Sequence, residues 1–121
     1  MMDARAVAQA YLSPWNEADA RKRQVLLAQH WTPDAAYADP MASVDGRDKI
    51  AALIDTVQQR FPGYRFSLRG EPDGHGQYVR LSWSLGPVGG DAPIEGSDVV
   101  TLVNDKIHRV VGFIDRAPAG S

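Results

Sequence analysis

The hydrophobic pattern of this chain changes period at Pro62-Gly63, and that change constrains the fold more than any other feature. Upstream, Ile50, Leu53, Ile54, Val57 and Phe61 recur every three or four residues. That spacing gives a helix one apolar face. Downstream, Tyr64, Phe66 and Leu68 alternate with Arg65, Ser67 and Arg69. That alternation suits a strand with one buried side. Proline has no amide hydrogen to continue a helix, so the boundary is sharp. Helices before and strands after this point predict an α+β fold, with helices packed on one face of a mostly antiparallel sheet. Such a sheet can curl around the helices and leave a cavity between them.

The remaining elements follow from local signals. Residues 3 to 13 read as a helix carrying Val7 and Tyr11 on its apolar face, which should end or kink at Pro14. Asn16 is the expected N-cap of a second helix over residues 17 to 31, with Val25, Leu26 and Trp31 as its buried stripe. A short strand over 35 to 39 ends at Asp39-Pro40, and a third helix covers 47 to 60. Strands follow at 64 to 71, 77 to 86, 95 to 103 and 106 to 115. Asp73-Gly74 and Asn104-Asp105 are the expected turns. The order is αα-β-α-ββββ in one domain over 1 to 121, with 113 to 121 as the last strand's end and a loose tail.

Composition removes whole classes of chemistry. The chain has 15 acidic and 13 basic side chains and a net charge of −2, so nothing in its charge favours nucleic acid. The short basic run Arg21-Lys22-Arg23 reads as a solvated helix face. No apolar run approaches the ~20 residues a bilayer requires. The first residues, Met1-Met2-Asp3-Ala4-Arg5, do not resemble a signal peptide. Cysteine is absent, which excludes disulfides, thiolate zinc sites and thiol nucleophiles. His30, His75 and His108 are widely spaced and match no metal-ligand pattern. No G-x-S-x-G, P-loop or G-x-G-x-x-G occurs. The expectation is a cytoplasmic protein without metal or cofactor.

Three residues stand out against that background. Asp98 shares one face of its strand with Val100 and Leu102, while Val99, Thr101 and Val103 share the other. Neither face is plainly solvated, and a buried carboxylate is costly unless paired or protonated. It either faces a pocket or, at the strand start, reaches solvent or caps a neighbouring loop. Asp39 stands before Pro40, where it is either a turn residue or a group at the mouth of a cavity. Tyr11 is either core packing or a hydroxyl donor in that cavity. Trp15, Leu81, Trp83, Val100, Phe113 and Ile114 are candidates for an apolar ligand-binding wall.

Taken with Tyr37-Ala38-Asp39-Pro40, Val44 to Ile50 (VDGRDKI) and Gly96 to Val100 (GSDVV), the element order resembles the nuclear transport factor 2-like superfamily. Within it, the chain is similar to the SnoaL-like proteins, which include polyketide cyclases and ketosteroid isomerases. The resemblance covers about residues 3 to 115. It implies a cone-shaped, strongly curved sheet wrapped on three helices, one deep pocket, and a homodimer formed through the sheet. The ketosteroid isomerase pattern places its helix-one tyrosine on Tyr11, its general-base aspartate on Asp39 and its protonated aspartate on Asp98. The epoxide hydrolase pattern of the superfamily asks for an arginine where Gly96 stands. The dehydratase pattern asks for pocket histidines that His75 and His108 do not supply.

Two functions remain open. One is acid–base chemistry on a small apolar carbonyl compound, steroid- or polyketide-like, with Asp39 as base and with Tyr11 and protonated Asp98 as donors. The other is a non-catalytic small-molecule-binding or dimeric scaffold module, with Asp39 in a turn and Asp98 neutralised by Arg80 or Arg109.

Overall fold

Pro14 does not end the first helix. The computed structural model describes residues 3–118 and places α1 over Ala4–Asn16. Pro14 withholds the amide that the Ala10 carbonyl would accept, and the Ser13 hydroxyl donates to that carbonyl instead, at 3.2 Å. Asp3 caps the start through the amide of Ala6. Of the chain ends read from sequence, Met1-Met2 and the tail residues 119 to 121 lie outside the described residues.

Asn16 is therefore inside α1 and does not cap the next helix. α2 spans Ala20–His30, and Asp19 caps it by accepting from the amides of Arg21 and Lys22. Asn16 instead acts as a strand partner: its amide donates to the Phe66 carbonyl at 2.9 Å, and its carbonyl accepts from the Phe66 amide at 2.8 Å. The buried stripe of α2 also differs from expectation. Val25 faces solvent and Leu27 and Arg23 are buried, while Trp31 is fully buried as expected but begins the next strand. Arg23 donates to Gln58 at 2.7 Å and to the Glu17 carbonyl at 3.2 Å, with Asp55 at 3.6 Å. The basic run is thus not wholly solvated; its third member bridges α2 to the third helix, its charge compensated as burial requires.

β1 spans Trp31–Ala38 and turns into the short β2, Ser43–Asp45. α3 follows over Arg47–Arg60, with Ile50 and Ile54 fully buried, as its periodicity predicts. The remaining strands are β3 Tyr64–Leu68, β4 Asp73–His75, β5 Tyr78–Pro87, β6 Ile94–Val103 and β7 Lys106–Arg116. Asp73-Gly74 is not a turn but part of β4; the reversal falls three residues later at Gly76-Gln77, and the Gly76 φ of 56° suits glycine. Asn104 and Asp105 do form a tight turn, both with positive φ. The short β2 and β4 are the additions to the αα-β-α-ββββ order.

The sheet order is β2-β1-β7-β6-β5-β3, with β4 also paired to β5. All pairs are antiparallel except β1 with β7. Three helices and a curved, unclosed, mostly antiparallel sheet thus form the α+β fold expected. One face of the sheet packs on the helices through Val79, Leu81, Val100, Leu102 and Val110 against Val7, Tyr11, Leu27, Ile50 and Ile54. No helix among the described residues is long and apolar enough to cross a membrane.

Candidate functional site

The sheet and helices leave a cavity of about 460 Å³ between them. Its walls are mainly apolar: Leu12, Trp15, Leu53, Val57, Phe66, Leu85 and Ile94 contribute. Tyr11, Asp39 and Asp98 all line it, contributed by α1, the end of β1 and β6 respectively.

Asp98 follows the inward alternation of β6 and is only 3% exposed. Its Oδ2 atom accepts from the Tyr11 hydroxyl at 2.6 Å and from the indole N–H of Trp83 at 3.1 Å. The indole reaches it because Trp83 sits opposite Gly96 on β6. A methyl at position 96 would stand 2.2 Å from the ring, so only glycine leaves room for the indole there. Burial pushes the Asp98 carboxyl up to about 6; the Tyr11 and Trp83 hydrogen bonds oppose that shift, and the charge of Asp39 adds to it. Neither Arg80 nor Arg109 neutralises it. Arg80 pairs with Asp73 at 2.7 Å, and Arg109 is exposed.

Asp39 is held differently. Its Oδ1 accepts from the amides of Met41 and Ala42, both at 2.8 Å, and its own amide donates to the Ala42 carbonyl. This Asx-turn shapes the hairpin into β2. Its Oδ2 accepts from the Tyr37 hydroxyl at 2.6 Å. Burial first, then the hydrogen bond to Asp39, raise the Tyr37 hydroxyl far above its ordinary value. Tyr11 is raised by burial and then by the charge of Asp98. Both tyrosines are therefore hydrogen-bond donors and not phenolates at neutral pH.

Gly112 on β7 separates the two carboxylates. β7 lies between β1 and β6 in the sheet, and Gly112 is the register partner of Asp98. A methyl at this position would sit 2.6 Å from Asp98 Oδ1 and 3.4 Å from the Asp39 Cβ. Both acids therefore flank Gly112 and line the same cavity, one bonded to Tyr11 and the other to Tyr37.

The expected apolar wall divides. Trp15, Trp83 and Ile114 line the cavity. Leu81 and Val100 are buried in the core and do not line it. Phe113 faces outward and is 56% exposed, because neighbours on a strand point to opposite faces and Ile114 takes the inward place. Tyr37 was not singled out from sequence. Its place two residues before Asp39, on the same strand side, was the available signal. His108 hydrogen-bonds Thr32 at 3.1 Å, and His75 packs against Tyr78; neither lines the cavity.

A curved sheet closed by helices around a mostly apolar cavity, lined by the buried Asp98 and the half-buried Asp39, defines the class of this protein. A sequence model of the SnoaL-like domain matches residues 8–110, and the chain belongs to that family. A crystal structure of a candidate isomerase of the SnoaL-like family from Agrobacterium tumefaciens is similar at 45% identity and a TM-score of 0.90, covering 95% of this chain and 99% of that one. A candidate ketosteroid isomerase from Kribbella flavida superposes with a TM-score of 0.71 at 21% identity, covering 98% of this chain and 82% of that one. A candidate polyketide cyclase from Sinorhizobium meliloti gives 0.69 at 17% identity, covering 88% and 93%. These last two share the fold. No curated protein matches.

Proposed function

We propose that this protein is an isomerase or cyclase that performs cofactor-independent acid–base chemistry on a small apolar carbonyl compound. The observation that carries the reading is a buried Asp98 with no cationic partner, facing a mostly apolar cavity beside a second carboxylate. Asp39 acts as the base. It takes a proton from a carbon next to the carbonyl, and the electron pair moves to the carbonyl oxygen as an enolate forms. With Oδ2 of Asp98 already receiving two donors, the proton of neutral Asp98 sits on Oδ1 and donates to that oxygen. Tyr11 acts through Asp98, because its hydroxyl proton goes to the carboxyl 2.6 Å away. Asp39 then returns the proton to a different carbon, which completes an isomerisation. In a cyclisation, the enolate carbon attacks a second carbonyl and the proton goes to the resulting alkoxide.

The identity of the Agrobacterium relative supports the isomerase direction, and the shared fold of the other two is consistent with it. The Asx-turn at Asp39 favours the alternative, a small-molecule-binding module in which this acid only shapes a hairpin. Asp39→Asn separates the two when assayed on β,γ-unsaturated ketones, cyclic polyketides and lactones. Turnover by the native chain and its loss in the variant support the enzyme. Absent turnover, or equal turnover in both, overturns it.

We propose further that two copies associate through the outer sheet face. Val99 and Val111 are register partners there, and Phe113 extends the same exposed apolar surface.

A further inference from the structure

Leu53, Thr56, Val57 and Arg60 of α3 line the cavity, and steps of three and four place them on one helical side. Arg60 is the only basic side chain among the lining residues. Its guanidinium carbon stands 5.7 Å from the centre of the Phe61 ring, which also lines the cavity. Five other arginines are ion-paired among the described residues, Arg5 with Glu71, Arg23 with Asp55, Arg69 with Asp115, Arg80 with Asp73 and Arg116 with Glu95; Arg21, Arg47, Arg65 and Arg109 are not, but none of these lines the cavity. Among the described residues no carboxylate is ion-paired with Arg60. A cation in the last turn of α3 suits the helix's negative end, but that role does not require stacking on a ring of the cavity wall.

We infer that the cavity's occupant is an acid: its carbonyl end reaches Asp98, an apolar body fills the middle, and a carboxylate or similar anionic group lies against Arg60. The orientation rests on the reading of Asp98 as the carbonyl-binding group. Charge supports the assignment. An anionic ligand entering beside Asp39 meets a like charge, and Arg60 is the one side chain of the wall that offsets it.

The test compares phenol, naphthol and phenylphenol, which mimic an enol, each with and without a carboxylate at the far end of its rings. Binding is followed by the fluorescence of the native chain, since Trp15 and Trp83 line the cavity. In at least one pair the acid binds more tightly than its neutral counterpart, by about two- to fivefold for a partly exposed ion pair. That preference weakens with salt, disappears in Arg60→Gln and persists in part in Arg60→Lys. No preference in any pair, no binding of any acid, or a preference that survives Arg60→Gln overturns the inference. Turnover is not read in this experiment. A protein that binds acids through Arg60 without converting any carbonyl compound therefore fails the catalytic reading alone.

Discussion

The Tyr11 hydroxyl donates to Asp98 Oδ2 over 2.6 Å, joining the first helix to the middle of the sheet at a carboxyl buried to 3% exposure. Burial outweighs this hydrogen bond, since the Asp98 carboxyl is pushed up to about 6 from 3.8. The folded state therefore binds this proton more tightly than the unfolded state does. The resulting stabilisation is fully present below about pH 4 and is lost as pH rises towards about 6. At about 1.4 kcal/mol per pH unit, it amounts to about 3 kcal/mol. Asp98→Asn removes the titrating group and keeps an oxygen for Tyr11 and Trp83. The difference in Tm between native chain and variant should change across pH 4 to 6 in favour of the variant at the upper end, about that window. A difference that stays constant with pH contradicts the assignment.

Trp83 supplies the second donor to Asp98, at 3.1 Å, and that bond holds the carboxyl lower than burial alone would. Trp83→Phe keeps most of the ring and deletes the donor. Asp98 should then stay neutral to higher pH. In the proposed reaction Asp98 works as a neutral donor, so kcat/KM of the native chain should fall as pH rises past about 6. In the variant this alkaline limb should move upward. A limb that stays in place would show that Trp83 only packs, and a limb absent from the native chain would show that Asp98 does not donate.

Much of this arrangement was legible in the chain, for reasons that differ by residue. The periodicity of Ile50, Ile54 and their neighbours placed α3, because burial of an apolar stripe follows spacing directly. Asn104-Asp105 named its turn because few residues tolerate positive φ there. Asp98 stood out because a carboxylate inside an apolar strand has few satisfactory surroundings. Where capping was misplaced, two good caps lay close together. Asn16 and Asp19 both suit an N-cap, and the choice was made by Phe66, fifty residues away, which takes the Asn16 amide. Arg23 is similar: nothing local reveals Gln58 and Asp55 as its partners. Tyr37 joined the site through a hydroxyl whose partner only the hairpin geometry brings close. Phe113 was placed in the wall beside Ile114, although adjacent strand residues cannot both face inward without a bulge between them.

The outer sheet face yields a separate expectation. Val99, Val111 and Phe113 are exposed on neighbouring strands, with Val99 and Val111 in direct register. If a second copy covers them, Phe113→Glu places a charge in that contact and should shift the protein from dimer to monomer in analytical ultracentrifugation. The cavity lies on the opposite face of the sheet, so the fold should persist by circular dichroism. A native chain that sediments as a monomer at all accessible concentrations rules out this contact.

Gly112 offers a direct test of whether the two carboxylates act together. A methyl there would stand 2.6 Å from Asp98 Oδ1, and within 3.4 Å of the Asp39 Cβ. Asp98 cannot yield easily, because Tyr11 and Trp83 hold its other oxygen and the core closes behind it. Gly112→Ala should therefore cost about 1 to 3 kcal/mol of stability, as overpacking does. It should also displace the Oδ1 atom that the proposed reaction needs, and a misplacement of that size can cost on the order of a hundredfold in rate. The control is Gly86→Ala on β5, where the methyl would meet the Ala92 Cα at 2.5 Å and no side chain that holds Asp98 or Asp39. If the two variants lose similar stability but only Gly112→Ala loses turnover out of proportion, the site depends on the spacing set by β7. Equal losses of turnover in both would mean that general distortion of the sheet, and not the geometry of the acid pair, governs activity.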